Sequence, residues 1–96
     1  MLTLLLTSNN HSLLVVSDNM DKAFRQIEKG LRDIYEDDLR SYRYDIERNL
    51  LHVTWSGGPD LPVEEDLYRV SPLGSGDLLW ISHTGDSTVN KIPGGS

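Results

Sequence analysis

Residues 18–40 form the longest periodic stretch in the chain and constrain everything around them. Met20, Ala23, Phe24, Ile27, Leu31, Ile34, Tyr35 and Leu39 recur at the i, i+3, i+4, i+7 spacing that gathers apolar side chains on one stripe of a helix. A helix with one apolar stripe must lay it on something, and the rest of the chain reads as short strands. One long helix packed on a mostly antiparallel sheet, an α+β domain, is the economical solution. Asp18 suits the N-cap, and Asp21 then falls at N3, where a carboxylate meets free N–H groups and the positive end of the helix dipole. On the outer face Asp21 and Arg25, Glu28 and Arg32, Lys29 and Asp33, and Glu36 and Arg40 are opposite charges four residues apart, the pattern of a solvated surface. Gly30 interrupts the helix at a cost of about 1 kcal/mol relative to Ala; it marks either a close approach of the sheet or an exposed position with no role.

Residues 1–7 and 12–17 are apolar runs separated by Ser8, Asn9, Asn10 and His11, residue types that favour tight turns, so the chain opens on a β-hairpin. Neither arm alternates: Leu4, Leu5 and Leu6 are consecutive, as are Leu13, Leu14, Val15 and Val16. Strands apolar on both sides are normally covered on both faces, and one helix covers one face. A curled, barrel-like sheet is expected to supply the second cover; a partner subunit or partner protein is the alternative. After the helix, residues 42–47 and 50–56 form a second hairpin around Arg48 and Asn49. Residues 57–66 form a loop, and residues 67–70 and 78–83 a last pair of strands joined by a Pro- and Gly-rich turn. The expected order is β-β-α-β-β-β-β, with a single domain over residues 1–84 and a loose tail over 85–96. Trp55 and Trp80 read as core.

The chain has no cysteine, which removes disulfides, thiolate metal sites and cysteine nucleophiles and points to a reducing compartment. Its N-terminus lacks a basic leader and turns polar too early for a signal peptide or a membrane span, so a cytoplasmic protein without membrane contact is expected. The net charge is −6, from 15 acidic and 9 basic residues, and disfavours direct binding to a phosphate backbone. Residues 1–17 carry no charge at all, whereas Glu36, Asp37, Asp38 and Glu64, Glu65, Asp66 form two dense acidic runs. The first run sits at the expected helix C-terminus, where the dipole disfavours it.

No catalytic or cofactor constellation stands out. His11, His52 and His83 lack metal-ligand spacing, so no metal site is expected. The Gly74-Ser75-Gly76 run reads as a hairpin loop, since the Gly-x-Ser-x-Gly elbow of a serine nucleophile is missing. Neither glycine-rich phosphate-binding pattern occurs, no cofactor is expected, and the chain reads as a non-enzyme.

The opening hairpin, the helix over residues 18–40, the strand, glycine turn and acidic loop of residues 52–82, and the near-terminal Gly94-Gly95 together resemble ubiquitin-like proteins of the β-grasp fold. That resemblance implies conjugation to a target amine through Gly95 after trimming of Ser96. The residues themselves favour a small, acidic, non-catalytic module that docks on a protein partner, with Glu36, Asp37, Asp38, Tyr42, Tyr44, Glu64, Glu65, Asp66 and Tyr68 as candidate partner-binding residues. The tyrosines are included because each is flanked by charge. A homodimer through the uncharged hairpin, and a phage-type inhibitor that blocks a nucleic-acid-binding complex through its acidic surface, are the companion expectations.

Overall fold

A computed structural model describes residues 2–73 and the backbone of residues 89–91. The elements follow as β1 (Leu2–Thr7), β2 (Ser12–Ser17), α1 (Met20–Tyr35), a 3-10 turn (Glu36–Asp38), β3 (Leu39–Asp45), β4 (Leu50–Trp55), β5 (Glu64–Leu73) and β6 (Val89–Lys91). The strands make one sheet in the order β2-β1-β5-β4-β3-β6. Every neighbouring pair is antiparallel, and α1 packs on one face, the α+β arrangement that the helical stripe requires. The core lies between them, where Ala23, Ile27 and Leu31 of α1 meet Leu2, Leu4, Leu6, Val15, Leu51, Val53 and Val70 from the sheet.

Local chemistry sets the helix ends, and both differ from the expected ones. Asn19, not Asp18, is the N-cap: its extended backbone (φ −154°) lets its side chain accept the Lys22 N–H at 2.9 Å. The buried Ser17 hydroxyl fixes that geometry by donating to the Asn19 carbonyl at 2.9 Å, while Asp18 turns outward to pair with Lys22 at 3.6 Å. At the other end the Glu36 N–H still makes the last helical bond, to the Arg32 carbonyl, but the positive φ of Glu36 (φ 54°, ψ −124°) turns the chain out of the helix, which stops at Tyr35. Leu39 fits the helical stripe but is buried at the start of β3, because the chain has left the helix at Glu36 and packing in the sheet overrides the helix propensity of leucine. The early stop leaves Glu36 and Arg40 off the helix; Arg40 donates instead to the Asp37 carbonyl at 2.8 Å. Of the four expected charge pairs, Glu28 with Arg32 closes, at 3.8 Å, among the described residues. Gly30 does mark a close approach: a Cβ there would lie 2.6 Å from Leu13 Cδ2 of β2.

Among the described residues the sheet is open, not curled into a barrel, with β2 and β6 as its outer strands. Its apolar runs therefore split by face. Leu2, Leu4 and Leu6 are wholly buried beneath α1, whereas Leu14 is 65% and Val16 44% exposed on the opposite face. β5 is longer than expected and runs through Pro72. It pairs with β4 only as far as Arg69 and continues against β1 alone, so the proline nitrogen points past the end of β4, where no ladder bond is lost. The Val70 N–H, two residues earlier and aimed the same way, still finds the Asn49 carbonyl at 2.7 Å. Residues 89–91, which fall in the expected tail, pair with β3 as β6. The strand expected over 78–83, with Trp80 and His83, lies outside the described residues, as do Gly94 and Gly95.

Candidate functional site: the acidic end of the sheet

The antiparallel register decides which carboxylates meet. Leu39 at the start of β3 pairs with Trp55 at the end of β4, and Trp55 pairs with Glu64 at the start of β5. The Ser56 N–H donates to the Asp38 carbonyl at 2.9 Å and ties the 3-10 turn to the same end. Two acidic runs far apart in sequence thus sit two strand spacings apart, about 10 Å, at the end where α1 also terminates. Glu36, Asp37 and Glu64 are exposed there and Asp38 is half-buried.

The second run does not act as one block, because successive residues of a strand face opposite ways. Glu64 and Asp66 lie on the helix side. Glu65 lies on the opposite face, 3.3 Å from the Nδ1 of His52. Asp66 is held within the fold: the Tyr35 hydroxyl donates to its Oδ2 at 2.6 Å. The Tyr35 oxygen is 2.9 Å from the Tyr68 hydroxyl, and since its own hydrogen goes to Asp66, Tyr68 is the donor in that second bond. Around this relay the His11 ring packs edge-on against Tyr35 with centroids 5.7 Å apart, and the Trp55 ring lies 6.1 Å from Tyr35. The Trp55 indole nitrogen is buried and has no hydrogen-bond partner among the described residues.

Burial corrects the tyrosine part of the expected interface. Tyr42, Tyr44 and Tyr68 all point to the helix side and are buried, Tyr68 completely. Charged neighbours in sequence mislead here, since in a strand they occupy the other face. Tyr42 donates to Glu28 Oε1 at 2.8 Å, and Tyr44 stacks against Phe24 with centroids 4.7 Å apart. Burial raises the pKa of the Tyr35 phenol above the ordinary value near 10, and its hydrogen bonds to Asp66 and Tyr68 raise it further. Burial likewise pushes up Tyr42, Tyr44 and Tyr68. At neutral pH these hydroxyls are protonated donors and offer no phenolate base.

The site also holds features that no sequence pattern announced. Two shallow grooves of about 310 Å³ each flank the β1–β2 turn. Thr7, Ser8, Asn9, Leu50, Leu67 and Arg69 line one of them, and Ser8, Asn9, Asn10, Glu65, Asp66 and Leu67 the other. Ser8 shapes the turn between them: its N–H donates to the His11 carbonyl at 2.8 Å, and its hydroxyl oxygen accepts the His11 N–H at 3.1 Å. The only sequence signal was the turn composition of residues 8–11, which says nothing about what lies opposite. Among the described residues no three His, Asp or Glu gather as a metal-ligand set, and no helix is long and apolar enough to cross a membrane.

Comparison with known proteins finds no matching family model, no matching curated protein and no matching solved structure.

Proposed function

We propose that this chain is a non-catalytic protein-binding module that docks its acidic end on a basic surface of a partner protein in a reducing, cytoplasmic setting. The observation that supports this most is the register that brings Glu36, Asp37 and Asp38 beside Glu64 across the ends of β3, β4 and β5. These side chains contribute little to the fold, unlike Asp66, and crowding them at a helix C-terminus works against stability. Charge placed against local preference and left facing solvent suits long-range attraction of a cationic partner. A phage-type inhibitor is a special case of the same reading, with a cationic nucleic-acid-binding groove as the surface occupied.

The test is capture from the source lysate at low salt, followed by re-binding of the recovered proteins to the wild type and to a variant carrying Glu36→Gln, Asp37→Asn, Asp38→Asn and Glu64→Gln. The reading expects a basic protein whose affinity falls steeply with salt and drops at least about tenfold in the variant. Partners that bind both chains equally, or with no salt dependence, would sink it. Recovery of a nucleic-acid-processing complex whose activity the wild type suppresses and the variant does not would select the inhibitor case.

A further inference from the structure

A second surface stands apart from the acidic end. β2 is an outer strand, paired with β1 on one side and with no described strand on the other. The Ser8 N–H bond to the His11 carbonyl starts the hairpin ladder, and alternation from there turns the backbone groups of Leu13, Val15 and Ser17 towards β1. Those of Ser12, Leu14 and Val16 turn outward. The Val16 carbonyl agrees: it accepts from the side-chain amide of Gln26 at 3.0 Å rather than from β1. The same three residues place their side chains on the face away from α1, where Leu14 and Val16 are the exposed apolar pair. Outward-facing backbone and exposed apolar side chain therefore belong to the same positions.

Folded proteins usually guard such an edge with a lysine, a proline, a bulge or a very short strand. β2 has none of these; it is Ser-Leu-Leu-Val-Val-Ser, six residues in unbroken register with β1. We infer that β2 is the interface of a homodimer, pairing antiparallel with β2 of a second copy.

Charge selects a second copy over another occupant. Two chains of net charge −6 repel, and the first 17 residues, the longest uncharged stretch, let them meet without setting like charges against each other. The pattern is also self-complementary. Residues opposite one another in an antiparallel pair share a face, and a twofold axis normal to the sheet preserves faces. An axis through Leu14 sets Leu14 against Leu14 of the second copy and Ser12 against Val16 of the second copy, so every residue with outward backbone groups is used. The Val16 carbonyl has two lone pairs, so the Gln26 bond can persist. Leu14 already lies opposite Leu5 within the hairpin, and the pairing would join these side chains from both copies into one apolar strip.

The dimer uses none of the residues of the acidic end, so the two readings stand or fall separately. Sedimentation velocity from micromolar to sub-millimolar protein tests it, on the wild type and on Leu14→Lys and Val16→Lys, both at exposed positions. The wild type should shift with concentration from 10.8 kDa to twice that mass. Leu14→Lys, which sets two ammonium groups at the axis, should weaken association at least about tenfold with an unchanged circular dichroism spectrum. The Leu14 amide of the wild type should also exchange slowly when concentrated and fast when dilute. A wild type that remains at 10.8 kDa throughout overturns the inference. So does a folded Leu14→Lys chain that dimerises as well as the wild type. Should Leu14→Lys fail to fold, Val16→Lys and the wild-type Leu14 amide decide in the same way.

Discussion

Alkaline pH should unfold this domain abruptly, and its tyrosines set the steepness. The chain has four, Tyr35, Tyr42, Tyr44 and Tyr68, and all four are buried with phenol pKa values raised by that burial. In the unfolded chain each titrates near 10. A folded pKa above the unfolded one gives a stabilisation that is complete below about pH 10 and is lost as pH rises beyond it, because there the unfolded chain releases protons that the folded chain keeps. One tyrosine whose folded pKa lies far above 10 costs about 1.4 kcal/mol at pH 11 and about 2.7 kcal/mol at pH 12, so Tyr35, Tyr42 and Tyr44 together cost up to about 4 and about 8 kcal/mol, and Tyr68 adds in the same direction. A domain of 96 residues is stable by roughly 5 to 14 kcal/mol at neutral pH. Unfolding then sets in just above about pH 11 for a stability at the low end of that range and above about pH 12 at its high end. Tyrosinate absorbance and far-ultraviolet circular dichroism, followed in one titration, should change together in a single transition steeper than one proton. Replacing Tyr44 with Phe should make that transition shallower by about one proton. Tyrosinate absorbance that rises with a midpoint near 10 while the helical signal persists would refute the argument, because phenols that ionise in place are not shielded by the core.

Removing the Tyr35 hydroxyl by Tyr35→Phe should cost about 1 to 3 kcal/mol, since it strips a donor from the Asp66 carboxylate and one of two partners from the fully buried Tyr68, which keeps its bond with Ser8; urea denaturation measures it, and no measurable loss would mean that the relay is replaced by water. Gly30→Ala should be near neutral, because a helix gain of about 1 kcal/mol meets the displacement of Leu13. In a Leu13→Val background the same change should stabilise, and strict additivity in the double-mutant cycle would remove Leu13 as the reason for the glycine. Raising salt through the physiological range should raise the melting temperature of the wild type more than that of the variant neutralised at residues 36, 37, 38 and 64, where like charges are crowded within about one Debye length.

The helix and the strands over residues 1–17, 39–55 and 64–73 left a mark in the sequence because burial of one face imposes a period on each. The period fixed element type better than element ends. Leu39 satisfies the helical stripe but is out of step with Tyr42 and Tyr44 in the strand; it reaches their face through the register shift between Leu39 and Ser41, and the positive-φ turn at Glu36 ends the helix before it. Pro72 looked like the opening of the turn over residues 71–77, whereas it lies in a strand whose neighbour on that side has already ended. Tyr42, Tyr44 and Tyr68 looked like surface residues because their sequence neighbours are charged, the pattern that alternation gives a tyrosine facing inward. The relay from Tyr68 through Tyr35 to Asp66 was illegible altogether, since it joins residues 31 and 33 positions apart.

The acidic clusters show how the two levels depend on each other. In sequence, Glu36, Asp37 and Asp38 break a local rule, and Glu64, Glu65 and Asp66 break none. Only the sheet register turns the separate runs into a shared surface, and it also divides them. Asp66 accepts from Tyr35 and closes the core, Glu65 crosses to the opposite face beside His52, and Glu64 stays with the first run in solvent. A partner recognising this end should therefore be sensitive to Glu36, Asp37, Asp38 and Glu64 and indifferent to Glu65. Substitution of Asp66 should weaken binding only in proportion to the unfolding it causes. If binding instead tracked Glu65 and ignored Glu36, the contact would lie on the face away from α1, across the groove lined by Leu67 and Asn9.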